Sequence, residues 1–402
     1  MIDVHTLSKQ VAIILPAHGL EQKLQMARTE NRPLVIKLGF DPTASDLHLG
    51  HAVVLKKLRQ FQDLGHQIVI VVGSFTAGIG DPTGKNKSRP PLSREAVMQH
   101  AATYLQQLSK IIDTGKARVL FNSDWLDKLS AAEMTRLLSH VTIAQLLQRN
   151  DFNKRFTEQS PIAMHELLYP ILQGWDSVQI KADIELGGTD QLFNCTMGRQ
   201  LQESMGMPAQ VIICMPLLRG TDGKEKMSKS LHNIIGLTDS PEDMFGKTLS
   251  IPDALIEEFI TLCTDFTAEE KKELLEQLAT GTNPMLLKKA IARNIITQYH
   301  NEAAAVAAEK HFHNQFQQRD AARQSFEPVP LSSLGLKAGH ALALWELGSH
   351  LLPGQSKSAV KRLIVSGALE VNEIRMTDAL ELVTVAAGTK IKIGKRGFFE
   401  LM

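Results

Sequence analysis

Short apolar runs alternate with longer amphipathic stretches through the first half of the chain. Runs rich in β-branched residues and bounded by glycine or proline predict strands, and the amphipathic stretches between them predict helices. The predicted strands are 34–38, 67–72, 117–121 and 210–214, and the predicted helices are 49–64 and 93–112. This alternation predicts an α/β fold with a parallel sheet covered by helices and with ligands at the carboxyl ends of the strands.

The pattern changes twice in the second half. After Pro241 the strand signal nearly vanishes, and segments rich in Ala, Glu, Lys and Leu at 265–278 and 284–318 predict helices. Prolines, serines and a glycine give residues 326–338 the composition of a linker, and an alternating strand follows at 390–394. We predict an α/β domain at 1–235, a helical domain at 236–325, a linker at 326–338 and a small α+β domain at 339–402.

Composition narrows the class of protein. The 402 residues are 43% hydrophobic and 22% charged, which excludes a wholly disordered, collagen-like or membrane-embedded chain. Lys+Arg 44 against Asp+Glu 43 excludes a uniformly basic coat. The charge is uneven, however, because 354–369 and 388–397 contain cations and no acid. These two segments predict a local basic surface that binds consecutive phosphates of a nucleic acid.

Three widely spaced cysteines without a CxxC pair predict neither a disulfide framework nor a zinc site. The first ten residues lack a basic segment followed by an apolar one, and the longest apolar runs are too short to span a membrane. We therefore expect a cytoplasmic protein with no membrane contact.

Two glycine-containing loops predict phosphate sites. Residues 39–51 leave the first strand and open the first helix, where Gly50 allows close approach and His48 and His51 supply donors. The alternative is that the histidines only cap and solvate the helix. Residues 78–85, followed by Lys87, Arg89 and Arg94, resemble a P-loop, but Asn86 replaces the required Ser or Thr. This basic loop is either a phosphate clamp or merely solvated.

Three further patterns involve polar groups. Tyr169, Gln173 and Asp176 fall on one face of an otherwise apolar helix, which suits a small polar cavity or a satisfied buried network. Residues 187–191 place an acid at a strand-to-helix junction, as in ribose sites or ordinary turns. Residues 226–230 place two lysines in a flexible loop that could close on a polyphosphate.

Taken together, these elements resemble one enzyme family. His48-Leu49-Gly50-His51 and Lys226-Met227-Ser228-Lys229-Ser230, about 175 residues apart, look like the paired motifs of class I aminoacyl-tRNA synthetases. Four more elements narrow the resemblance to the tyrosyl-tRNA synthetase family, from about residue 30 to the C-terminus. They are Gly39–Ala44 (GFDPTA), Gly80-Asp81-Pro82, Tyr169-x-x-x-Gln173-x-x-Asp176 and Gly187–Gln191 (GGTDQ).

The resemblance implies a Rossmann-like catalytic domain, ATP-dependent activation of L-tyrosine and transfer of the tyrosyl group to tRNA(Tyr). The implied catalytic residues are Thr43, His48, His51, Lys85, Arg89, Lys226 and Lys229. The implied tyrosine contacts are Lys37, Asp41, Asp81, Tyr169, Gln173, Asp176 and Gln191. The implied ATP contacts are Gly39, Gly50, Gly188, Asp190, Met227 and Lys229.

The chemistry needs no enzyme nucleophile, because the substrate carboxylate attacks the α-phosphate. The protein orients the substrates and stabilises developing charge. Mg²⁺ would travel with the ATP phosphates, and we expect neither protein metal ligands nor a tightly bound cofactor.

One position departs from the family pattern. Many bacterial members have a tyrosine that touches the substrate phenol two residues before the first glycine of GFDPTA, whereas this chain has Lys37. The resemblance is to a second bacterial subgroup, and it leaves one phenol contact open.

The segment 356–372 resembles an S4 RNA-binding domain, with Lys357, Lys361 and Arg362 close together on a helix that Gly367 ends. Glu373 replaces the glycine often found in the following turn. The family resemblance also implies a homodimer. Two other readings are a small-molecule nucleotidylyltransferase, which would not explain the last two domains, and an RNA-binding paralogue without activation chemistry.

Overall fold

The computed structural model describes residues 4–42, 46–82, 93–323, 326–394 and 397–402. The chain forms two compact units, Met1–Glu309 and Lys310–Met402. Thr43, Lys85 and Arg89, which the family resemblance places at the phosphates, lie outside the described residues.

A six-stranded sheet forms the centre of the first unit. Its strands are β1 (Ile13–Leu15), β2 (Val35–Phe40), β3 (Gln67–Val72), β4 (Arg118–Phe121), β5 (Ile184–Gly188) and β6 (Val211–Met215). They lie in the order β1-β6-β5-β2-β3-β4, and only β1 runs antiparallel to its neighbour. The predicted parallel sheet is confirmed, and each of the four predicted strands is found within two residues of its expected bounds.

The sheet changes direction between β2 and β5. From β2 the chain passes to β3 and β4 on one side, and it later returns to fill the other side with β5 and β6. The carboxyl ends of β2 and β5 therefore flank a crevice, where open α/β sheets bind ligands.

Helices connect these strands. They are α1 (Val4–Ser8), α2 (Gly19–Thr29), α3 (Leu49–Asp63), α4 (Arg94–Leu108), α5 (Ser123–Leu126), α6 (Ala131–Leu138), α7 (Ile143–Leu146), α8 (Asn150–Thr157), α9 (Met164–Ile180) and α10 (Leu192–Ser204). The polar stripe lies on α9, which continues through Pro170 and Gly174. A Cβ atom on Gly174 would stand 3.0 Å from the backbone nitrogen of Gly198 in α10. The glycine thus allows α9 and α10 to pack closely beneath the crevice.

The helical character predicted beyond Pro241 is confirmed. The helices are α11 (Pro241–Leu249), α12 (Ile256–Cys263), α13 (Ala268–Ala279), α14 (Pro284–Tyr299) and α15 (Glu302–Arg323). Proline at the first position of α11 and α14 fits the helix start, where its missing N–H costs nothing.

Two lysines join these helices to the sheet region. Lys56 of α3 donates to the carbonyl of Cys263 at the end of α12 (2.7 Å), and Lys110 donates to that of Tyr299 at the end of α14 (3.0 Å). Helix C-termini carry partial negative charge, so an ammonium group is favourable there. Burial nevertheless lowers the pKa of Lys56 to about 8.

After the end of α15, the described residues of the second unit form two small sheets and two short helices. Its elements are β7 (Glu327–Val329), β8 (Ala341–Ala343), α16 (Leu344–Leu351), α17 (Lys357–Val365), β9 (Leu369–Val371), β10 (Ile374–Met376), β11 (Leu382–Thr384), β12 (Lys390–Ile393) and β13 (Gly397–Leu401). One sheet has the order β10-β9-β12-β13-β7, and the other pairs β11 with β8. Asn372 and Glu373 both have positive φ, 47° and 68°, so the turn between β9 and β10 keeps its two left-handed residues without glycine.

The segment 326–338 differs from its linker composition. It contains β7, which pairs in parallel with β13, and Leu331 and Leu336 belong to the buried core of this unit. Proline is compatible with an edge strand, because one side of the strand makes no ladder hydrogen bonds. Pro328 is therefore accommodated in the sheet, and Pro330 directly follows the strand. None of the helices in the described part of the chain is long and apolar enough to cross a membrane.

Candidate active site

Asp41 lies directly after β2 and is held from two sides. The hydroxyl of Tyr169 donates to its Oδ2 at 2.9 Å, and the hydroxyl of Thr76 donates to its Oδ1 at 2.8 Å. Gly73, after β3, makes room for this carboxylate, since a Cβ atom there would stand 1.9 Å from Asp41 Oδ1. The ends of two adjacent strands thus fix one acid at the crevice.

Asp176 is the second acid here, and it is buried. Trp125 Nε1 donates to its Oδ1 at 2.9 Å, and Asn122 Nδ2 donates to its Oδ2 at 3.3 Å. Asn122 also donates to the hydroxyl of Thr76 at 3.1 Å, which links the Asp176 and Asp41 clusters. Both donors follow β4, so three neighbouring strand ends contribute to one polar cavity.

Burial dominates the electrostatics of these acids. It raises the pKa of Asp41 and that of Asp176 to about 7, with Asp81 adding to the shift of Asp41. Burial also raises the pKa of Tyr169 well above its usual value, so the phenol remains a donor. A pocket with several carboxyl groups at this end is suited to bind a cation.

Gln191 connects the far side of the crevice to Asp81. Its Nε2 donates to Asp81 Oδ2 at 2.9 Å, and its Oε1 accepts from Asn194 Nδ2 at 3.0 Å. Asn194 in turn accepts from Arg149 at 3.2 Å. Residues after β3 and after β5 therefore meet across the site.

Lys37 and Gln173 lie beneath this pocket. Lys37 is fully buried, and its Nζ lies 2.8 Å from Glu185 Oε1 of the neighbouring strand β5. Gln173 Nε2 approaches the same oxygen at 3.4 Å. A buried ion pair thus underlies the polar stripe of α9.

The two histidines begin α3. His48 is the N-cap residue, and its backbone N–H donates to His51 Nδ1 at 3.3 Å. Since Nδ1 of His51 accepts, the ring proton lies on Nε2, which is then a donor. Burial lowers the pKa of His48 to about 2 and that of His51 to about 4, so both rings are neutral donors at pH 7.

Gly50 lies against both the histidines and the lysine loop. A Cβ atom there would stand 3.0 Å from the His48 ring and 3.7 Å from Cβ of Met227, which is itself buried. Backbone bonds from Leu49 to Ile235 and from Leu237 to Leu47 join the start of α3 to the segment after the loop. The two family motifs are therefore neighbours in space.

The lysines of the loop are half exposed and pair with carboxylates. Lys226 Nζ lies 2.6 Å from Asp190 Oδ2, and Lys229 forms an ion pair with Asp46. Asp190 follows β5, while Asp46 precedes α3. Both cations therefore lie at the carboxyl end of the sheet, beside the histidines.

Two glycines border the space between these groups. Gly39 is exposed at the end of β2, and a Cβ atom there would have only the Val71 carbonyl within 4 Å, at 3.9 Å. A Cβ atom on Gly188 would stand 2.7 Å from Asp190 Oδ1 and 2.8 Å from Leu217. A side chain at Gly188 would therefore require Asp190 and Leu217 to shift, whereas Gly39 simply leaves open space.

The structure brings most of the expected residues to one crevice. Acids, Tyr169 and amides line one end, and histidines and lysines line the other. Thr43, Lys85 and Arg89 lie outside the described residues. Within the described ranges, no group of three or more His, Cys, Asp or Glu side chains could hold a metal ion.

Sequence patterns did not identify several residues that hold the site. These are Asp46, Gly73, Thr76, Asn122, Trp125 and Glu185. Asn122 and Trp125 closely follow the predicted strand 117–121, and this position at a strand end could have indicated that they belong to the site. The signal for Glu185 was weaker, since it was only an acid within an otherwise apolar strand.

The three expected RNA contacts belong to the second unit. Lys357, Lys361 and Arg362 are exposed on α17, while Val360 and Ile364 face the core. The ammonium groups of Lys357 and Lys361 lie 5.4 and 4.9 Å from the ring centroid of Trp345. This places two cations over an aromatic ring.

Comparisons with known proteins agree with this geometry. Residues 29–317 match the family described as tRNA synthetases class I (W and Y). The chain is 49% identical over 399 residues to a tyrosine–tRNA ligase 2 of Photorhabdus laumondii, covering 99% of both chains. It is 47% identical over 393 residues to a tyrosine–tRNA ligase of Mannheimia succiniciproducens, covering 98% of this chain and 96% of that one.

A solved structure shows the same fold at low identity. It is a tyrosyl-tRNA synthetase from Archaeoglobus fulgidus complexed with L-tyrosine, with a TM-score of 0.59 and 20% identity over 74% of this chain and 97% of that chain. The family match and the two full-length relatives are stronger, and they agree with the paired histidine and lysine motifs on one sheet edge. The chain belongs to the tyrosyl-tRNA synthetase family of class I tRNA synthetases.

Proposed function

We propose that the protein activates L-tyrosine with ATP to tyrosyl-adenylate and pyrophosphate, and then transfers the tyrosyl group to the 3′ end of tRNA(Tyr). The observation that carries the proposal is the buried Asp176, held by Trp125 and Asn122 at the end of a crevice whose other end carries His48, His51 and the lysine loop. A buried acid that accepts hydrogen bonds suits a phenol, and the opposite end suits phosphates.

At the amino-acid end, Asp176 would accept from the phenol of the substrate. Asp81, Tyr169 and Gln173 would hold the α-amino group, with Asp41 and Gln191 lining the same space. The acidic surroundings support this assignment, because an ammonium group gains Coulomb energy among partly buried carboxylates. The substrate carboxylate is then free to point towards ATP.

At the phosphate end, the substrate carboxylate attacks the α-phosphate and pyrophosphate leaves. His48 and His51 would donate to the phosphates as neutral rings, together with Thr43. Lys226 and Lys229 would stabilise the leaving pyrophosphate, together with Lys85 and Arg89. Gly39, Gly50 and Met227 would border the nucleotide, and Gly188 and Asp190 would hold the ribose. Mg²⁺ would enter with ATP.

Pyrophosphate exchange tests the activation step. We expect ATP–pyrophosphate exchange to depend on tyrosine when each of the twenty amino acids is supplied in turn. Dependence on tryptophan, or on no amino acid, would refute the proposal.

The later parts of the chain would bind tRNA. We propose that 236–325 contacts the anticodon arm, that 339–402 binds RNA through α17, and that 326–338 connects them. Replacement of Lys357, Lys361 and Arg362 by alanine should raise the KM for tRNA(Tyr) while exchange stays unchanged. A matched triple replacement of Glu373, Asp378 and Glu381, acids of the same unit, should not raise that KM. Equal loss of exchange and charging in the first variant would contradict a separate RNA role.

We also propose a homodimer that works in the cytoplasm. Ile143, Phe156 and Met164, on or beside α7 to α9, are 64, 63 and 72% exposed. Large apolar side chains so exposed and close in sequence suit contact with a second copy. Sedimentation of the wild type and of Phe156→Arg tests this, and a wild-type monomer at micromolar concentration would refute it.

A further inference from the structure

Lys37 has no remaining donor for a ligand. It lies on β2 under α9, and its Nζ donates to the Gln173 carbonyl at 2.9 Å and to the Ser177 hydroxyl at 2.7 Å. Its third partner is Glu185 Oε1 at 2.8 Å. An ammonium group has three N–H bonds, so these partners satisfy it completely. Lys37 could reach a substrate phenol only by breaking one of them.

Glu185 collects the other half of this network. It is 1% exposed, and besides Lys37 it accepts from the Ser177 hydroxyl at 3.2 Å and from Gln210. Its Oε1 also lies 3.4 Å from Gln173 Nε2. The pair is thus built into the contact between β2, β5 and α9.

The network determines the orientation of Gln173. An ionised carboxylate only accepts hydrogen bonds, so Glu185 draws the NH₂ group of the Gln173 amide towards β5. The amide oxygen then lies on the other side, where an ammonium group could donate to it. Lys37 holds the backbone carbonyl of the same residue, so both the main chain and the side chain of Gln173 are fixed.

We propose that Lys37 and Glu185 form a buried positioning pair that orients Gln173 to accept a hydrogen bond from the substrate amine. The pair does not touch the substrate. This inference rests on the proposed activation of tyrosine, and it gives Lys37 a role different from the phenol contact suggested by its place in the motif.

The appropriate variant removes both charges. Loss of one partner would leave a buried charge unpaired and strongly destabilise the fold. In Lys37→Met/Glu185→Gln no charge remains, and the new amide can offer Gln173 either a donor or an acceptor. A second variant, Glu185→Asp, keeps the charge but withdraws the carboxylate from Gln173, and it serves if the double variant does not fold.

Two competitive inhibitors of tyrosine-dependent exchange report on the amine. Tyramine keeps the amine and phenol, whereas 3-(4-hydroxyphenyl)propionate keeps the phenol and carboxylate. The measured quantity is the inhibitor ratio, which is the inhibition constant of 3-(4-hydroxyphenyl)propionate divided by that of tyramine. The double variant should lower this ratio about tenfold or more, because a hydrogen bond to a charged group contributes about that much. Glu185→Asp should lower the ratio about threefold. If both inhibitors weaken by the same factor in these variants, the positioning role is wrong.

A matched control separates positioning from stability. Arg155 and Glu166 form another buried ion pair, 2.6 Å apart, that ties α8 to α9 away from Gln173. Arg155→Met/Glu166→Gln should lower thermal stability but leave the inhibitor ratio unchanged, and a similar change of ratio there would overturn the proposal. Absence of tyrosine-dependent exchange in the wild type would refute the proposed function and this inference with it. If exchange is intact but the inhibitor ratio is unchanged in the Lys37 and Glu185 variants, only the inference is refuted.

Discussion

The two ends of the crevice hold their charged groups in different ways. At the proposed amino-acid end, Asp176 is buried and Asp41 is partly buried, and each accepts from two donors placed by strand ends and α9. At the proposed phosphate end, Lys226 and Lys229 are half exposed on a loop and pair with carboxylates. In the proposed function, the first arrangement is assembled before the ligand arrives, whereas in the second the cations would exchange carboxylates for phosphates. The proposal therefore assigns recognition to the buried end and charge stabilisation to the exposed end.

The largest expected effect is at the exposed end. Lys226→Ala should lower the kcat of tyrosine-dependent exchange about 10²- to 10³-fold, the cost of removing one donor to developing charge. The dissociation constant for tyrosine, measured by equilibrium dialysis, should change less than about twofold. Lys224→Ala, an exposed lysine in the same loop, is the control and should keep full activity. A large loss of tyrosine affinity in Lys226→Ala would mean that the two ends are not separate.

The next effect is at the buried end. Asp176→Asn should reduce the preference for tyrosine over phenylalanine in kcat/KM by about 10- to 150-fold, since a charged acceptor for the phenol is lost. Asp124→Asn, an exposed acid beside Trp125, should leave selectivity unchanged. If Asp176→Asn retains wild-type selectivity, the phenol is read elsewhere.

The same carboxylates give a pH dependence. The pKa of Asp41 and that of Asp176 are about 7, so both are largely neutral at pH 6 and ionised at pH 8. Tyrosine should therefore bind about tenfold more tightly at pH 8 than at pH 6, with proton release detectable by calorimetry in buffers of different ionisation enthalpy. The stability of the free protein changes with pH in the opposite direction. Because the pKa of both carboxyl groups is raised in the folded state, the free energy of unfolding falls as the pH rises from about 4 to 7. Tighter tyrosine binding at pH 6 would contradict the assignment.

The smallest effect concerns the carboxylate that holds a loop lysine. Asp46→Asn removes a partner of Lys229 at an exposed site, where an ion pair contributes only about 0.2–1 kcal/mol. The free energy of unfolding in urea should change by no more than that, and the KM for ATP should fall by up to about fivefold. A rise in the KM for ATP would show that Asp46 supports nucleotide binding instead of competing with it.

Local patterns predicted the sheet well because buried parallel strands read as continuous apolar runs, as at Gln67–Val72. The face shared by Tyr169, Gln173 and Asp176 follows from helical spacing alone. The partners of Asp176 could not be deduced in this way. Asn122 and Trp125 lie more than fifty residues away in sequence, and only the order of the strands brings them near α9.

Tertiary packing decided the outcome at two places. Proline and glycine are unfavourable inside a helix, but α9 continues through Pro170 and Gly174, and Gly174 allows the close contact with α10 at Gly198. The prolines of 326–338 suggested a linker, yet β7 joins the edge of a sheet. The ion-pair partner of Lys37 could not be predicted either, since the sequence alone does not show that Glu185 lies opposite it.

Gly73 has a consequence for how the site tolerates mutation. It would touch no substrate, and yet its missing side chain is the space that Asp41 occupies, held there by Thr76 and Tyr169. A single methyl group at this position would force the Asp41 carboxylate and the Thr76 hydroxyl to shift. A one-carbon change in a residue outside the proposed amino-acid pocket would therefore disturb an acid inside it.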